Sequence, residues 1–400
     1  MPVAIDVTKE IIKNVTMTVP AVQRNRLNRP RAGVHFTGKD SELRRYAFQG
    51  LDMLQQISGG LQGQSICEIG PGDFLTSGMA MLAAGAASYT AIDRFAGDYS
   101  RLEGKEWYAG IQRAWPRFYP DLPWPMWLDA DRFPRDYPDR VMTSDARIES
   151  AADIGTFDIV CSFQVGEHVS DINEFAHSTA MLLKTSGIAI HRIDFGPHGS
   201  WRLYQDPLTF LRIPDLVWRA MGSARGAPNR SRAHEMKDAF RTAGLLVRST
   251  EVERFPASIT DLARLPHRYR QMPPESLLIR TLVLVAAHHP VAHDTESQNC
   301  IGTALRFVGP GPWRGFRTQH ERQPAYGELA AEPVMVSGGT VSGHRAECET
   351  RSPGPDREIR VDRQLGAERR IALPLHEVPR RGVGHRVHGC NRAVRQPTAW

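Results

Sequence analysis

The 400-residue chain is 41% hydrophobic and 24% charged with a formal net charge of +6 at pH 7, a balance that fits a soluble globular chain of one large or two modest domains. No stretch reaches the roughly eighteen apolar residues of a membrane span, and Asp6, Lys9 and Glu10 interrupt the first apolar residues, so no signal-like segment opens the chain and the expected location is cytoplasmic. The five cysteines, at 67, 161, 300, 348 and 390, are odd in number and widely spaced, which argues against a disulfide framework and a zinc ribbon; Cys67 and Cys161 read as small buried hydrophobes.

Residues 1–35 are mixed and basic, with Arg24, Arg26, Arg29 and Arg31 between Pro20 and Pro30, and read as an irregular arm. Asp40-Ser41 then caps a predicted helix running to about Ile57, on the spacing of Leu43, Tyr46, Leu51, Leu54 and Ile57, with Gly59-Gly60 as its stop. Arm and helix make a first region, residues 1–59.

Ser65 to Phe74, Ser-Ile-Cys-Glu-Ile-Gly-Pro-Gly-Asp-Phe, reads as a buried strand breaking into a helix. Gly70 and Gly72 let the backbone turn sharply beside a ligand, and the helix predicted over Phe74 to Ala84 presents its N-terminal amides to an anionic group. A dinucleotide fingerprint needs a third glycine where Leu75 stands, and no Gly-Lys-Ser/Thr follows to make a phosphate loop. A second strand, Ser88 to Ile92, ends in Asp93, placed about twenty residues past the glycines to accept from ribose hydroxyls.

At this point the sequence resembles the class I S-adenosylmethionine-dependent methyltransferases, in the branch acting on small molecules. Glu68, Gly70, Pro71 and Gly72 match the first motif of that family and Asp93 its ribose-binding acid. Val141 to Thr143 reads as a third strand; the resemblance implies that Asp145 and Ala146 after it lie beside the adenine. Phe157-Asp158-Ile159-Val160-Cys161-Ser162-Phe163, followed by Gln164 and by Glu167-His168-Val169, looks like the fourth-strand motif, with Gln164 among the implied cofactor contacts. A helix from Ile172 to Lys184, a Lys-Thr-Ser-Gly turn, a fifth strand at Ile188 to Ile193, helices at Pro207 to Met221 and Ala233 to Ala243, and strands at Leu245 to Val252 and Leu277 to Ala287 complete the order. The implied fold is α/β: a doubly wound, Rossmann-like sheet of seven strands, mostly parallel with an antiparallel last strand, over residues 60–289.

Residues 100–138 exceed what the connection between two parallel strands needs. From Trp107 to Pro138 aromatics alternate with prolines at 116, 120, 123, 125, 134 and 138, which predicts an irregular cap without a regular helix: either a lid over substrate or a loop pinned by its own rings. Residues 290–400 hold sixteen arginines, twelve acids and no lysine without sustained apolar periodicity, and read as a disordered tail. An out-of-frame extension of a GC-rich gene is narrowly favoured there over a purposeful linker.

Methyl transfer from a sulfonium needs alignment and a dry pocket, with a base only where the acceptor carries a proton to lose. His191 and His198 are the first candidates for that base, then His168, with Asp194 as orienter. No His, Cys or Asp cluster shows metal-ligand spacing in the sequence. Gln164-Val165-Gly166-Glu167 stands where nucleobase methylating enzymes carry Asn/Asp-Pro-Pro-Tyr/Phe or Pro-Cys, so nucleic acid is disfavoured and a small-molecule or sugar oxygen or nitrogen is the expected acceptor. Asn229-Arg230-Ser231-Arg232 and Trp218 faintly resemble methyltransferases of microbial glycan or secondary-metabolite pathways. The alternatives are a catalytically silent binding module of the same fold and a nicotinamide-dependent oxidoreductase, against which Leu75 counts.

Overall fold

The computed structural model describes residues 3–27, 36–148, 152–223 and 227–289. All of them belong to the first of two units, which divide after Glu332, and the tail expected over 290–400 lies outside the described residues. The strands are β1 (Ser65–Ile69), β2 (Ser88–Ile92), β3 (Val141–Ser144), β4 (Phe157–Phe163), β5 (Leu183–Asp194), β6 (Leu245–Arg254) and β7 (Ile279–His288). They form one seven-stranded sheet in the order β3-β2-β1-β4-β5-β7-β6. The first five are parallel, and β7 inserts antiparallel between β5 and β6, pairing Ile190 with Val285 and Val247 with Ala286. The expected sheet, with its antiparallel last strand, is the observed one.

Alternation along the strands explains why both faces are covered. Ile66, Ile159 and Cys161 join one buried cluster with Leu51, Leu54, Leu82 and Tyr89, whereas Cys67, Ile69 and Val160 join another with Phe175, Met236 and Phe240. The helices supplying these side chains are α4 (Gln49–Ser58), α5 (Thr76–Ala83), α7 (Ile172–Leu182) and α9 (Ala233–Thr242). Asp171 caps α7, accepting from the amides of Asn173 at 2.7 Å and Glu174 at 3.4 Å. A third cluster stands apart from the sheet, gathering Trp201, Phe210, Leu211, Trp218, Met221, Phe255, Tyr269 and Leu277 from the segments after β5 and before β7.

Three expectations are corrected. The N-terminal arm is helical where it is described: α1 (Val3–Thr16) and α2 (Pro20–Leu27). The buried face of α1 is polar, a stripe of Asp6, Glu10 and Asn14 at four-residue spacing, so apolar periodicity could not reveal it. Tyr204 Oη donates to Asp6 at 2.7 Å, and Asn14 Nδ2 donates to the carbonyl of Ala220 at 3.0 Å, docking α1 on α8 (Asp215–Gly222). The predicted helix over 40–57 is instead α3 (Asp40–Leu43), a π turn at Arg44–Phe48 and then α4, ended by Gly59 in the left-handed region at φ 79°.

The aromatic insert opens with a regular helix, α6 (Leu102–Phe118), because its prolines begin only at 116, inside the last turn. Trp107, Tyr108, Ile111, Ala114 and Trp115 give it a buried face. Beyond α6 the rings fasten the chain to itself: Trp124 Nε1 donates to Leu128 O at 2.6 Å and Tyr137 Oη to Trp127 O at 3.0 Å. Trp107 and Trp115 are each 1% exposed, so the inner face of α6 packs as core, which favours the loop pinned by its own aromatics. The short helices α10 (His267–Arg270) and α11 (Pro274–Leu277) lead into β7.

Candidate functional site

A cavity of about 630 Å³ opens beyond the carboxyl ends of β1, β2, β4 and β5, where an open α/β sheet holds its ligands. Its first wall is the turn after β1. Gly70, at φ 69°, donates its amide to Ile92 O at 2.7 Å, and a Cβ there would stand 2.6 Å from Val165 Cγ2. Gly72, at φ 85°, has nothing within 4 Å of the place a Cβ would take and leaves open space above the turn. Asp93, at the end of β2, closes this wall, accepting from Phe95 N–H at 2.7 Å and from Gly72 N–H at 3.3 Å. Pro71, Gln164 and Ala146 line the same end, with Ile69, Ile92 and Ile148 as apolar surface. Gln164 sits at φ 61°, rare for a residue with a side chain and the mark of a turn held in place by its surroundings.

Two of the residues expected at the cofactor stand elsewhere. Glu68 does not line the cavity: it is 3% exposed and accepts from Ser77 Oγ at 2.6 Å and from Tyr89 Oη. Burial raises its pKa, and the two hydroxyl donors oppose that rise, so the carboxyl serves to tie β1 to α5 and β2 beneath the glycine turn. Asp145 is exposed and outside the lining, while its neighbours Ala146, Arg147 and Ile148 are within it.

His168, Asp194, His198, Trp201 and Trp218 line another part of the cavity, with Glu10 from α1; Arg45 and Tyr46 from the π turn and Trp107 from α6 line it too, and Tyr46 O accepts from Thr76 Oγ1 at the start of α5. The rings of His168 and His198 meet edge to face with centroids 4.8 Å apart, and His198 Nε2 lies 3.9 Å from Asp194 Oδ2. Burial lowers the His198 pKa; Asp194 opposes this, and Arg202 and Arg280 add to it. Asp194 is itself fixed by the Gly196 amide at 2.8 Å.

His191, the other first candidate for a base, does not reach this end. It is fully buried between Phe175 and Phe240 with its Nδ1 at 2.8 Å from Ser162 Oγ, and burial drives its pKa down to about 3. The reason is strand alternation: Asp194 and His191 are three apart on β5 and point to opposite faces.

Two pieces of machinery carried no motif strong enough to assign from sequence. Asn229 clamps the turn after β4, donating its backbone amide to Glu167 O at 2.6 Å and its Nδ2 to Gly166 O at 2.9 Å and Val169 O at 3.2 Å. Arg232 is fully buried and donates to the carbonyls of Phe195 at 2.8 Å, Leu277 at 2.7 Å and Ile279 at 3.0 Å. Clustering of basic residues at 230–232 was the available signal, yet it reads as surface charge until the fold closes around it.

Sequence showed no metal-ligand spacing, but the turn after β4 and the loop after β5 bring Glu167, His168 and His198 together, their ligand atoms all within 4.8 Å of one another. Glu167 is 2% exposed and neither carboxylate oxygen makes a hydrogen bond.

Neither a family model nor a curated protein matches the chain. Solved structures match over part of the chain. An S-adenosylmethionine-dependent methyltransferase from Mesorhizobium loti is 13% identical, over 59% of this chain and 95% of that one, at a TM-score of 0.31. An O-methyltransferase family protein from Burkholderia thailandensis is 12% identical, over 62% and 57%, at 0.35. The [4+2]-cyclase SpnF is 14% identical, over 66% and 90%, at 0.36. Each is a distant likeness; the architecture is established by this chain's own strand order.

Proposed function

We propose that the chain is a class I S-adenosylmethionine-dependent methyltransferase acting on an oxygen or nitrogen of a small-molecule or sugar acceptor. The observation that supports it most is one cavity running from the Gly70–Gly72 turn and Asp93 to the His168, Asp194 and His198 group. Cofactor and acceptor would share that cavity end to end, as in-line displacement requires.

The residues present suit the cofactor. Open space over Gly72 admits a ligand against the backbone, Asp93 offers carboxylate oxygens to a pair of ribose hydroxyls, and Ile92 and Ile148 offer apolar surface to a flat base. Bound there, the sulfonium supplies an activated methyl carbon. The protein's own part is placement and exclusion of water. Trp201 and Trp218 wall the acceptor end, and α1 brings Glu10 to the same cavity. His198, kept neutral by burial, and the Asp194 carboxylate beside it are the groups placed to take an acceptor proton.

Calorimetry on the full chain with S-adenosylhomocysteine and with NAD tests the reading. S-adenosylhomocysteine is expected to bind, and Asp93→Ala to weaken it by about 1–3 kcal/mol as ribose loses a charged acceptor. Tight binding of NAD without S-adenosylhomocysteine would overturn it.

A further inference from the structure

We propose that Glu167, His168 and His198 form a binding site for a divalent transition-metal ion of the zinc type at the acceptor end of the cavity. Two independent observations carry it. The first is geometric: two imidazoles and a carboxylate place their ligand atoms within 4.8 Å of one another. Tetrahedral coordination at about 2.0–2.2 Å needs donors roughly 3.4 Å apart, so the three side chains would have to draw together by about an ångström to hold an ion. The second is the state of Glu167, 2% exposed with both oxygens lacking a hydrogen bond, while the buried Nε2 of His198 also lacks one. Buried carboxylates are normally paired, hydrogen-bonded or metal-bound.

The donor set chooses the ion. Two neutral imidazoles and one carboxylate suit zinc, cobalt or iron(II), and they leave coordination positions open for a ligand. Magnesium and calcium prefer oxygen alone. The backbone holding the donors is already fixed, by the Asn229 clamp under Glu167 and by the Gly196 amide on Asp194. Within the proposed methyl transfer, on which this role rests, a hydroxyl of the acceptor would occupy an open position. The metal acidifies it, its proton passes to the Asp194 carboxylate, and the oxygen lone pair forms the bond to the methyl carbon as the carbon–sulfur pair returns to sulfur. His198 then serves as ligand rather than base.

Zinc binding to the full chain, followed by calorimetry and by the visible absorption of a cobalt-loaded sample, is the test. Wild type is expected to hold one zinc equivalent that Glu167→Gln and His198→Asn weaken at least about tenfold, while the exposed His177→Asn leaves it intact. Zinc held elsewhere by a chain with 15 histidines stays in every variant and subtracts out. Circular dichroism and S-adenosylhomocysteine binding report whether a variant has folded. Should a variant not fold, anomalous scattering from zinc-loaded wild-type crystals decides, with a peak among the three side chains expected. The same zinc stoichiometry and affinity in all folded variants, or no peak at that place, overturns the site. Zinc bound without S-adenosylhomocysteine would keep the site and remove the methyltransferase reading.

Discussion

The two ends of the cavity are built by different means. The Asp93 end is made of strand ends and the turns that leave them, residues 69–73, 92–95 and 163–165, each within a few residues of a sheet position. The His198 end gathers side chains from residues 10, 168, 198, 201 and 218, brought together by helix docking and by the cluster around Trp201 and Trp218. Backbone geometry makes the first end, and packing at a distance makes the second. Damage should therefore separate them.

The largest separation is expected from Arg232→Met. It orphans the buried carbonyls of Phe195, Leu277 and Ile279, so urea unfolding should show a loss of about 3–5 kcal/mol. Below the lowered transition, S-adenosylhomocysteine affinity should persist; its disappearance there would break the division between the ends. Gly70→Ala acts on the other end. A Cβ 2.6 Å from Val165 Cγ2 on a residue at φ 69° costs about 1–3 kcal/mol and should weaken S-adenosylhomocysteine while leaving any zinc bound at Glu167, His168 and His198. Unchanged nucleoside affinity would show that the turn does not touch the ligand.

The last effect concerns pH and is confined to acid solution. His191 has a folded pKa of about 3, below its unfolded value of 6.5, so the unfolded chain takes up the proton first as pH falls. Stability is full above about 6.5 and declines toward 3 by up to about 1.4 kcal/mol per pH unit from this group. Urea midpoints of wild type and His191→Gln at pH 7, 5.5 and 4.5 should diverge in that sense. Parallel curves would mean that the imidazole is not held neutral.

What could be seen in the sequence follows the same division. The sheet was legible because β1, β4 and β7 are apolar runs, β1 and β4 bordered by glycines at 70 and 155, and the Gly70–Gly72 turn and Asp93 are local to such runs. Asp145 was placed by motif position alone, and a residue one step along, Ala146, faces the cavity. Helix α1 hid because its buried stripe of Asp6, Glu10 and Asn14 pairs with Tyr204 and Ala220, about two hundred positions away. Proline counting failed over α6 since a proline constrains only the turn around it, and Leu102 to Trp115 contains none. His191 and His198 looked equivalent in a loop reading; strand alternation sends one into the core.

The cluster around Trp201, Phe210, Trp218 and Tyr269 is a core of its own, distinct from the two that sandwich the sheet. Substitutions in it are tested against neighbours other than those that hold Gly70 and Asp93, so errors there need not propagate to the nucleoside grip. This makes the segment 199–223 the natural place to randomise when seeking altered acceptor preference: a library confined to its lining residues, screened for retained S-adenosylhomocysteine binding, should return many folded members. Under the proposed function, natural lineages would be free to drift by the same route, exchanging the acceptor while keeping the donor.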